Sequence, residues 1–247
     1  MRSATASPIL ESMTRQSSNG VAPVVFLLDV DNTLLDNDQA ERGYRRVLER
    51  QCGPAAAAQY WRFFEALRQE LGYADYLGAL QRYRLEDMHD PRLIVVATYL
   101  LDYPFADRLY PRALEVVRHL GARGTTVLLT DGDVVFQPRK IERSGLWRAV
   151  DGRILIYVHK EQELDEVALR YPAAHYVLVD DKLRILTAVK RVWGPRVTTV
   201  WPRQGHYARE PGVISAYPSP DVTLERIGDL LDRQTDVLLA AAKGERR

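Results

Sequence analysis

Two aspartates, Asp29 and Asp31, stand two residues apart directly after the apolar run "VVFLL", Val24 to Leu28. Such a run reads as a buried strand, and residues two apart on a strand share a side, so an extended chain would aim both carboxylates out of its end. The pattern recurs. Thr130, Asp131 and Gly132 follow the run from Thr126 to Leu129, Lys160 follows Ile154 to Val158, and Asp180 and Asp181 follow Tyr176 to Val179. In open α/β sheets ligands bind beyond the carboxyl ends of the strands, so these groups should converge on one rim.

Convergence of four acids is costly, since like charges about 4 Å apart repel by about 4 kcal/mol at an effective dielectric near 20. Something positive must compensate. Oxygen-only ligands suit a hard cation, and Mg²⁺ fits a site built from carboxylates, waters and a phosphate oxygen. Lys160 would add a second positive charge and Thr130 a hydroxyl donor for a bound anion, which together describe a phosphoryl-transfer site. Taken singly, each piece has a plain structural role open to it: Asp31, Asn32 and Thr33 could shape a turn, Asp180 and Asp181 could cap a helix, and Lys160 could be solvated.

The elements needed to hold these groups are legible in the same patterns. A further apolar run, Val197 to Val200, completes a set of five strands without alternation, as a sheet covered on both faces requires. Between strands, "PRALEVVRHLGARG" and "EQELDEVALRYP" place apolar residues at helical spacing and stop at glycine or before proline. Strands alternating with helices predict an open, doubly wound α/β sheet. Nearly a hundred residues separate the first two strands, far more than a simple crossover needs. From Gln39 to Asp107 that stretch is helical and aromatic-rich, so four or so helices are inserted there. Residues 23–38 and 108–240 then form the core domain and 39–107 the insertion. Tyr60, Trp61, Phe63, Phe64, Tyr73 and Tyr76 are expected mostly in the insertion's own core.

Bulk properties exclude several classes. The formal net charge is +1 over 247 residues, so no basic excess is present to grip nucleic acid. The single cysteine, Cys52, cannot form an intramolecular disulfide, which fits a reducing compartment. No apolar run approaches the roughly 18 to 20 residues of a membrane span, and no secretory signal is evident, so a cytoplasmic protein is expected. Residues 1–22 read as a loose extension, with Glu11 arguing against a transit peptide, and the tail "AAAKGERR" is expected to fray.

With these residues in place the chain resembles the haloacid dehalogenase-like (HAD) superfamily of hydrolases. "LLDVDNT" is similar to its first motif, "VLLTD" to its second, Lys160 to its third and "YVLVDD" to its acidic fourth, over roughly residues 24 to 201. The resemblance implies a Rossmann-like core with a central parallel sheet, helices on both faces and a helical C1 cap after the first strand. It implies that Asp29 is the nucleophile and Asp31 the general acid and then base. Mg²⁺ would be held by the Asp29 side chain, the Asp31 carbonyl, Asp180 and Asp181. Thr130, Asp131, Gly132 and Lys160 would bind the phosphoryl oxygens. Three positions depart from or complicate that pattern. Lys140 rivals Lys160 for the lysine role, Asp131 stands where the family often has Asn, and Ile185 and Leu186 occupy places where many members carry a further acid. His206, after the last strand, could approach the substrate.

The superfamily also contains dehalogenases, which need neither a metal nor the second acid, so Asp31 argues for phosphatase chemistry. A phosphomutase shares the first step. Receiver domains combine similar groups, but with the acid pair first and the phosphorylated Asp later, the reverse of the order here. A silent binding module is the remaining alternative. The expected substrate is a small phosphorylated metabolite, with no nucleic-acid or membrane partner. Arg45, Arg46, Arg62, Tyr60 and Tyr83 of the insertion are available to bind anions or rings.

Overall fold

The computed structural model describes residues 21–86 and 90–233. Of the loose extension expected over residues 1–22, residues 1–20 lie outside those described, as do the fraying tail and the core boundary at residue 240. Ala22 belongs instead to the first strand, where its amide donates to the Pro172 carbonyl at 2.8 Å. Six strands form one parallel sheet: β1 (Ala22–Leu28), β2 (Thr125–Asp131), β3 (Ile154–Tyr157), β4 (Ala173–Val179), β5 (Val197–Pro202) and β6 (Val222–Leu224). Their order is β3-β2-β1-β4-β5-β6, so β1 is central and the chain departs from it in both directions. A crevice opens at such a switch point, beyond the ends of β1, β2 and β4.

Burial on both faces explains the unbroken apolar runs. Val24, Phe26 and Leu28 pack into one core, which continues into the helices inserted after β1, while Val25 and Leu27 pack into another against the helices of the opposite face. That second core takes up Leu183, Ile185, Leu186, Val189 and Trp193 from the helix Leu183–Trp193. Ile185 and Leu186 therefore serve packing, and the acids of this loop end with Asp181. Five of the six strands match the apolar runs. The short β6 does not, because an edge strand of three residues has little apolar sequence to declare it.

Four helices lie between β1 and β2: α1 (Asn37–Cys52), α2 (Pro54–Leu71), α3 (Tyr76–Glu86) and α4 (Leu93–Asp102). Asp36 caps α1 by accepting from the Gln39 amide at 2.9 Å, so the helical insertion starts at Asn37, ahead of the expected Gln39. Gly53, at φ 87°, makes the turn into α2, which opens on Pro54. The aromatic residues hold these helices together much as expected. Tyr44 makes edge contacts with Tyr60, Trp61 and Tyr76 at 5.5, 5.8 and 6.0 Å, and Tyr60 donates to the Tyr76 carbonyl at 3.0 Å. Tyr73 stands outside that core and lines the cleft described below, which Phe64 and Tyr76 of the core also border.

A polar clasp joins β5 to β6. Asp221 Oδ2 accepts from the Thr199 amide at 2.8 Å, the Thr199 hydroxyl at 2.9 Å and Lys190 Nζ at 2.7 Å. Burial pushes the Asp221 pKa up, and the Lys190 and Thr199 donors more than offset this, leaving it below 3.8. A lowered carboxyl pKa contributes stability that is present above the unfolded value and lost as the pH falls through the folded one. Asp221→Asn is therefore expected to cost about 1 to 2 kcal/mol at neutral pH, with the gap closing below about pH 4. Urea unfolding of both proteins across that range checks it.

Candidate active site

The turn after β1 is built by its own motif. Val30 accepts the amides of Leu34 and Leu35, each at 3.0 Å, which folds the chain back at once. Asn32 takes a left-handed conformation at φ 58°, tolerated by an asparagine whose amide donates to Asp38 at 2.8 Å. Gly205 packs so closely there that a Cβ on it would come within 2.6 Å of Asn32 Cβ. Thr33 is fully buried, and its hydroxyl accepts from the Asp181 amide at 3.0 Å. The threonine of the first motif thus ties the β1 turn to the β4 turn. Trp201 adds a bond from Nε1 to the Asp181 carbonyl at 2.9 Å.

These ties bring Asp29, Asp180 and Asp181 together, each offering a carboxylate oxygen within 4.8 Å of the others, and all three are buried. Lys160, 1 % exposed, compensates part of the charge. Its Nζ lies 2.5 Å from Asp29 Oδ1 and 2.7 Å from Asp180 Oδ2, and it donates to the Leu129 carbonyl at 3.2 Å. Burial opposes the Lys160 charge, but Asp180 and Asp29 outweigh it and hold the ammonium well above its ordinary range. Burial pushes Asp180 up to about 6 against the pull of Lys160, and it drives Asp181 well above the ordinary carboxylate range against that of Lys182. Both Asp181 oxygens are buried without a hydrogen-bond partner. Oxygen donors so placed, in an acidic trio that one lysine only partly neutralises, fit a hard divalent cation. Asp29, Asp180 and Asp181 are the side chains that could hold it.

Asp31 occupies a different environment. Both of its oxygens accept from Lys140 Nζ at 2.8 Å, and Oδ2 accepts from Gln137 at 3.3 Å. Lys140 is only 2 % exposed and also donates to Asn37 Oδ1 at 3.1 Å. Gln137 and Lys140 lie three apart on the helix Phe136–Ser144 and so share a face. The two lysines weighed as rivals are both present with separate partners: Lys160 serves Asp29, and Lys140 serves Asp31. Thr130 Oγ1 accepts from Gln137 at 3.0 Å. The Asp131 carboxylate turns back to accept from the Lys160 amide at 2.8 Å, which gives the extra acid of this motif a structural use.

A cleft of about 360 Å³ opens over these groups. The core side supplies Asp31, Asp131, Gly132, Gln137, Lys140 and Asp181, and the inserted helices supply Asn37, Glu41, Phe64, Arg68, Tyr73 and Tyr76. His206 lines the cleft, with Nδ1 2.8 Å from Asp38 Oδ1. The cations and rings named for the insertion do not line it. Tyr60 and Tyr83 are buried in the helical core, and Arg45 is occupied by Glu41 at 2.7 Å and by the Trp61 ring at 3.6 Å. Arg68 and Lys182, not singled out in the sequence, line it instead. Lys182 could have been noticed from its place beside the acid pair; nothing local marks Arg68.

The family model for haloacid dehalogenase-like hydrolases matches residues 24–192, and the chain belongs to that family of hydrolases. None of the curated proteins compared matches it. Among solved structures, a protein of Burkholderia xenovorans LB400 described as a haloacid dehalogenase-like hydrolase is 63 % identical, with a TM-score of 0.82 over 85 % of this chain and 98 % of that one. A HAD-hydrolase of Bacillus subtilis bound to magnesium is 18 % identical, with a TM-score of 0.56 over 85 % and 97 %. An L-2-haloacid dehalogenase of Xanthobacter autotrophicus is 16 % identical, with a TM-score of 0.54 over 83 % and 96 %. The last two likenesses are of fold. No helix among the described residues is long and apolar enough to cross a membrane.

The unpartnered Asp181 carboxylate has a measurable consequence. Asp181→Asn should be more heat-stable than the parent in EDTA at neutral pH, by about 1 to 3 kcal/mol, because the cost of burying an unpartnered ionisable carboxyl is removed. It should also lose most of the rise in Tm that added Mg²⁺ is expected to produce in the parent. Thermal unfolding with and without Mg²⁺ measures both.

Proposed function

We propose that this hydrolase is a Mg²⁺-dependent phosphatase acting on a small phosphorylated metabolite through a phosphoryl intermediate on Asp29. The observation that carries the reading is the separation of the two acids of the first motif. Asp29 sits in the buried trio with Lys160, whereas Asp31 is held apart at the cleft wall by Lys140 and Gln137. Two carboxylates in different surroundings suit two different jobs. Halide leaves without a proton, so displacement of halide would give Asp31 nothing to do.

In this reading an Asp29 oxygen attacks phosphorus, and the bond to the leaving oxygen breaks as that oxygen takes a proton from Asp31. Water then attacks the acyl phosphate and gives a proton to the Asp31 carboxylate. The bond from phosphorus to Asp29 breaks, which frees phosphate and restores both acids. A Mg²⁺ ion held by Asp29, Asp180 and Asp181 would neutralise charge on the transferring group. Lys160 holds Asp29 in place, and Thr130 with the backbone near Asp131 and Gly132 receives the phosphoryl oxygens. The four helices after β1 act as the cap and exclude water from the cleft. Lys140 and Gln137 are positioning residues that fix the Asp31 carboxylate.

A panel of phosphomonoesters with Mg²⁺ should release phosphate, and 2-chloropropionate should release no halide. The reverse outcome would assign the protein to dehalogenation. Asp29→Asn should abolish turnover, and Asp31→Asn should lower kcat roughly a hundredfold to ten-thousandfold. Full turnover by Asp29→Asn would sink the mechanism.

Lys140 permits a finer test. Lys140→Met should lower kcat on alkyl phosphates far more than on p-nitrophenyl phosphate, whose leaving group needs no proton, and Lys140→Arg should restore part of the loss. Equal losses on the two esters would make Lys140 merely structural.

A further inference from the structure

The charges lining the cleft do not balance evenly. Among the acids, Asp31 is matched by Lys140, Asp38 by His206 and Glu41 by Arg45, Asp131 accepts from a backbone amide, and Asp181 belongs to the buried acidic trio below the cleft. Among the cations, Arg184 is paired with Glu161. Two cations remain without an ion pair to another residue lining the cleft. Arg68, in the last turn of α2, has only Glu65 at 3.7 Å on the exposed surface. Lys182, half-buried at the mouth of β4, makes no ion pair among the described residues, although Asp181 and Asp29 more than offset the burial that opposes its charge.

Tyr207 brings these two cations to one corner. Its hydroxyl accepts from Arg68 Nη2 at 3.2 Å, and its ring centroid lies 5.7 Å from Lys182 Nζ. All three residues line the same cleft as Asp31 and Asp181, one cation arriving from the inserted helices and the other from the core. Lys160 and Lys140 are already committed to Asp29 and Asp31, so neither is free to meet a second anionic group on a ligand.

The geometry points to a second anion subsite at Arg68, Tyr207 and Lys182, which takes a carboxylate of the substrate while its phosphoryl group lies over Asp29. Resting on the phosphatase reading, this narrows the substrate to a small phosphomonoester that also carries a carboxylate. A guanidinium beside a phenol hydroxyl offers directed donors to a planar carboxylate, and Lys182 adds a point charge. A cleft of about 360 Å³ suits a ligand of metabolite size. Because the subsite needs a residue from each side of the cleft, the ligand's carboxylate would also draw the inserted helices onto the core.

Calorimetric titration of the Mg²⁺-loaded protein with phosphonoacetate and with propylphosphonate tests the subsite without turnover. Phosphonoacetate should bind at least about tenfold more tightly. Arg68→Met and Lys182→Met should each remove most of that excess, with phosphonoacetate binding falling much further than propylphosphonate binding in each. Equal affinity for the two ligands, or an excess that survives both substitutions, overturns the subsite. So does a parent that releases phosphate from simple alkyl phosphates but binds neither phosphonate. Failure to release phosphate from any ester instead overturns the phosphatase reading on which it rests.

Discussion

Three carboxylates buried within 4.8 Å of one another are the constraint around which the rest of this molecule is arranged. Such a trio is unfavourable in any apolar surrounding, and it persists because the fold allows it no alternative. Asp29 extends from the central strand, Asp180 and Asp181 extend from the neighbouring one, and the backbone registers of β1 and β4 are locked residue by residue along their length. Lys160 relieves part of the repulsion from the far side of β2. The remaining negative charge is what fits the site to a cation, and in the proposed reaction that cation would draw the anionic substrate in turn.

Threonine, asparagine and lysine then divide the supporting work. Thr33 and Trp201 hold the Asp181 backbone, so the acid pair cannot move away from Asp29. Asn32 accepts a left-handed conformation and spends its side chain on Asp38, which fixes the start of the inserted helices relative to the first motif. Lys140 and Gln137 place a separate clamp on Asp31. The consequence is two acids two residues apart whose surroundings differ as much as their proposed roles.

Much of this was legible from local pattern. Strands buried on both faces must be apolar throughout, so the runs that end in Asp29, Thr130 and Asp180 declared themselves, and the position of Lys160 after a strand located it. The inserted helices followed from the length between the first two strands and from aromatic residues at helical spacing. Less visible were features that depend on who meets whom. Lys140 and Lys160 looked like competitors because sequence order cannot say that one reaches Asp31 and the other Asp29. Arg45 looked available until Glu41 of its own helix and the Trp61 ring of the next one became its partners.

The amino-acid sequence by itself determined the family, the central parallel sheet, and the set of acids and lysines from which a site could be made. Those properties rest on short-range periodicity and on residue types at strand ends. Tertiary structure alone decided the pairing of each lysine with its acid, the diversion of Asp131 to a backbone amide, and the placing of Arg68 and Lys182 in the cleft with no ion pair to another residue lining it. The physical reason is that a charge's role is set by the partners within a few ångströms, and those partners lie up to 168 residues away along the chain, as His206 does from Asp38.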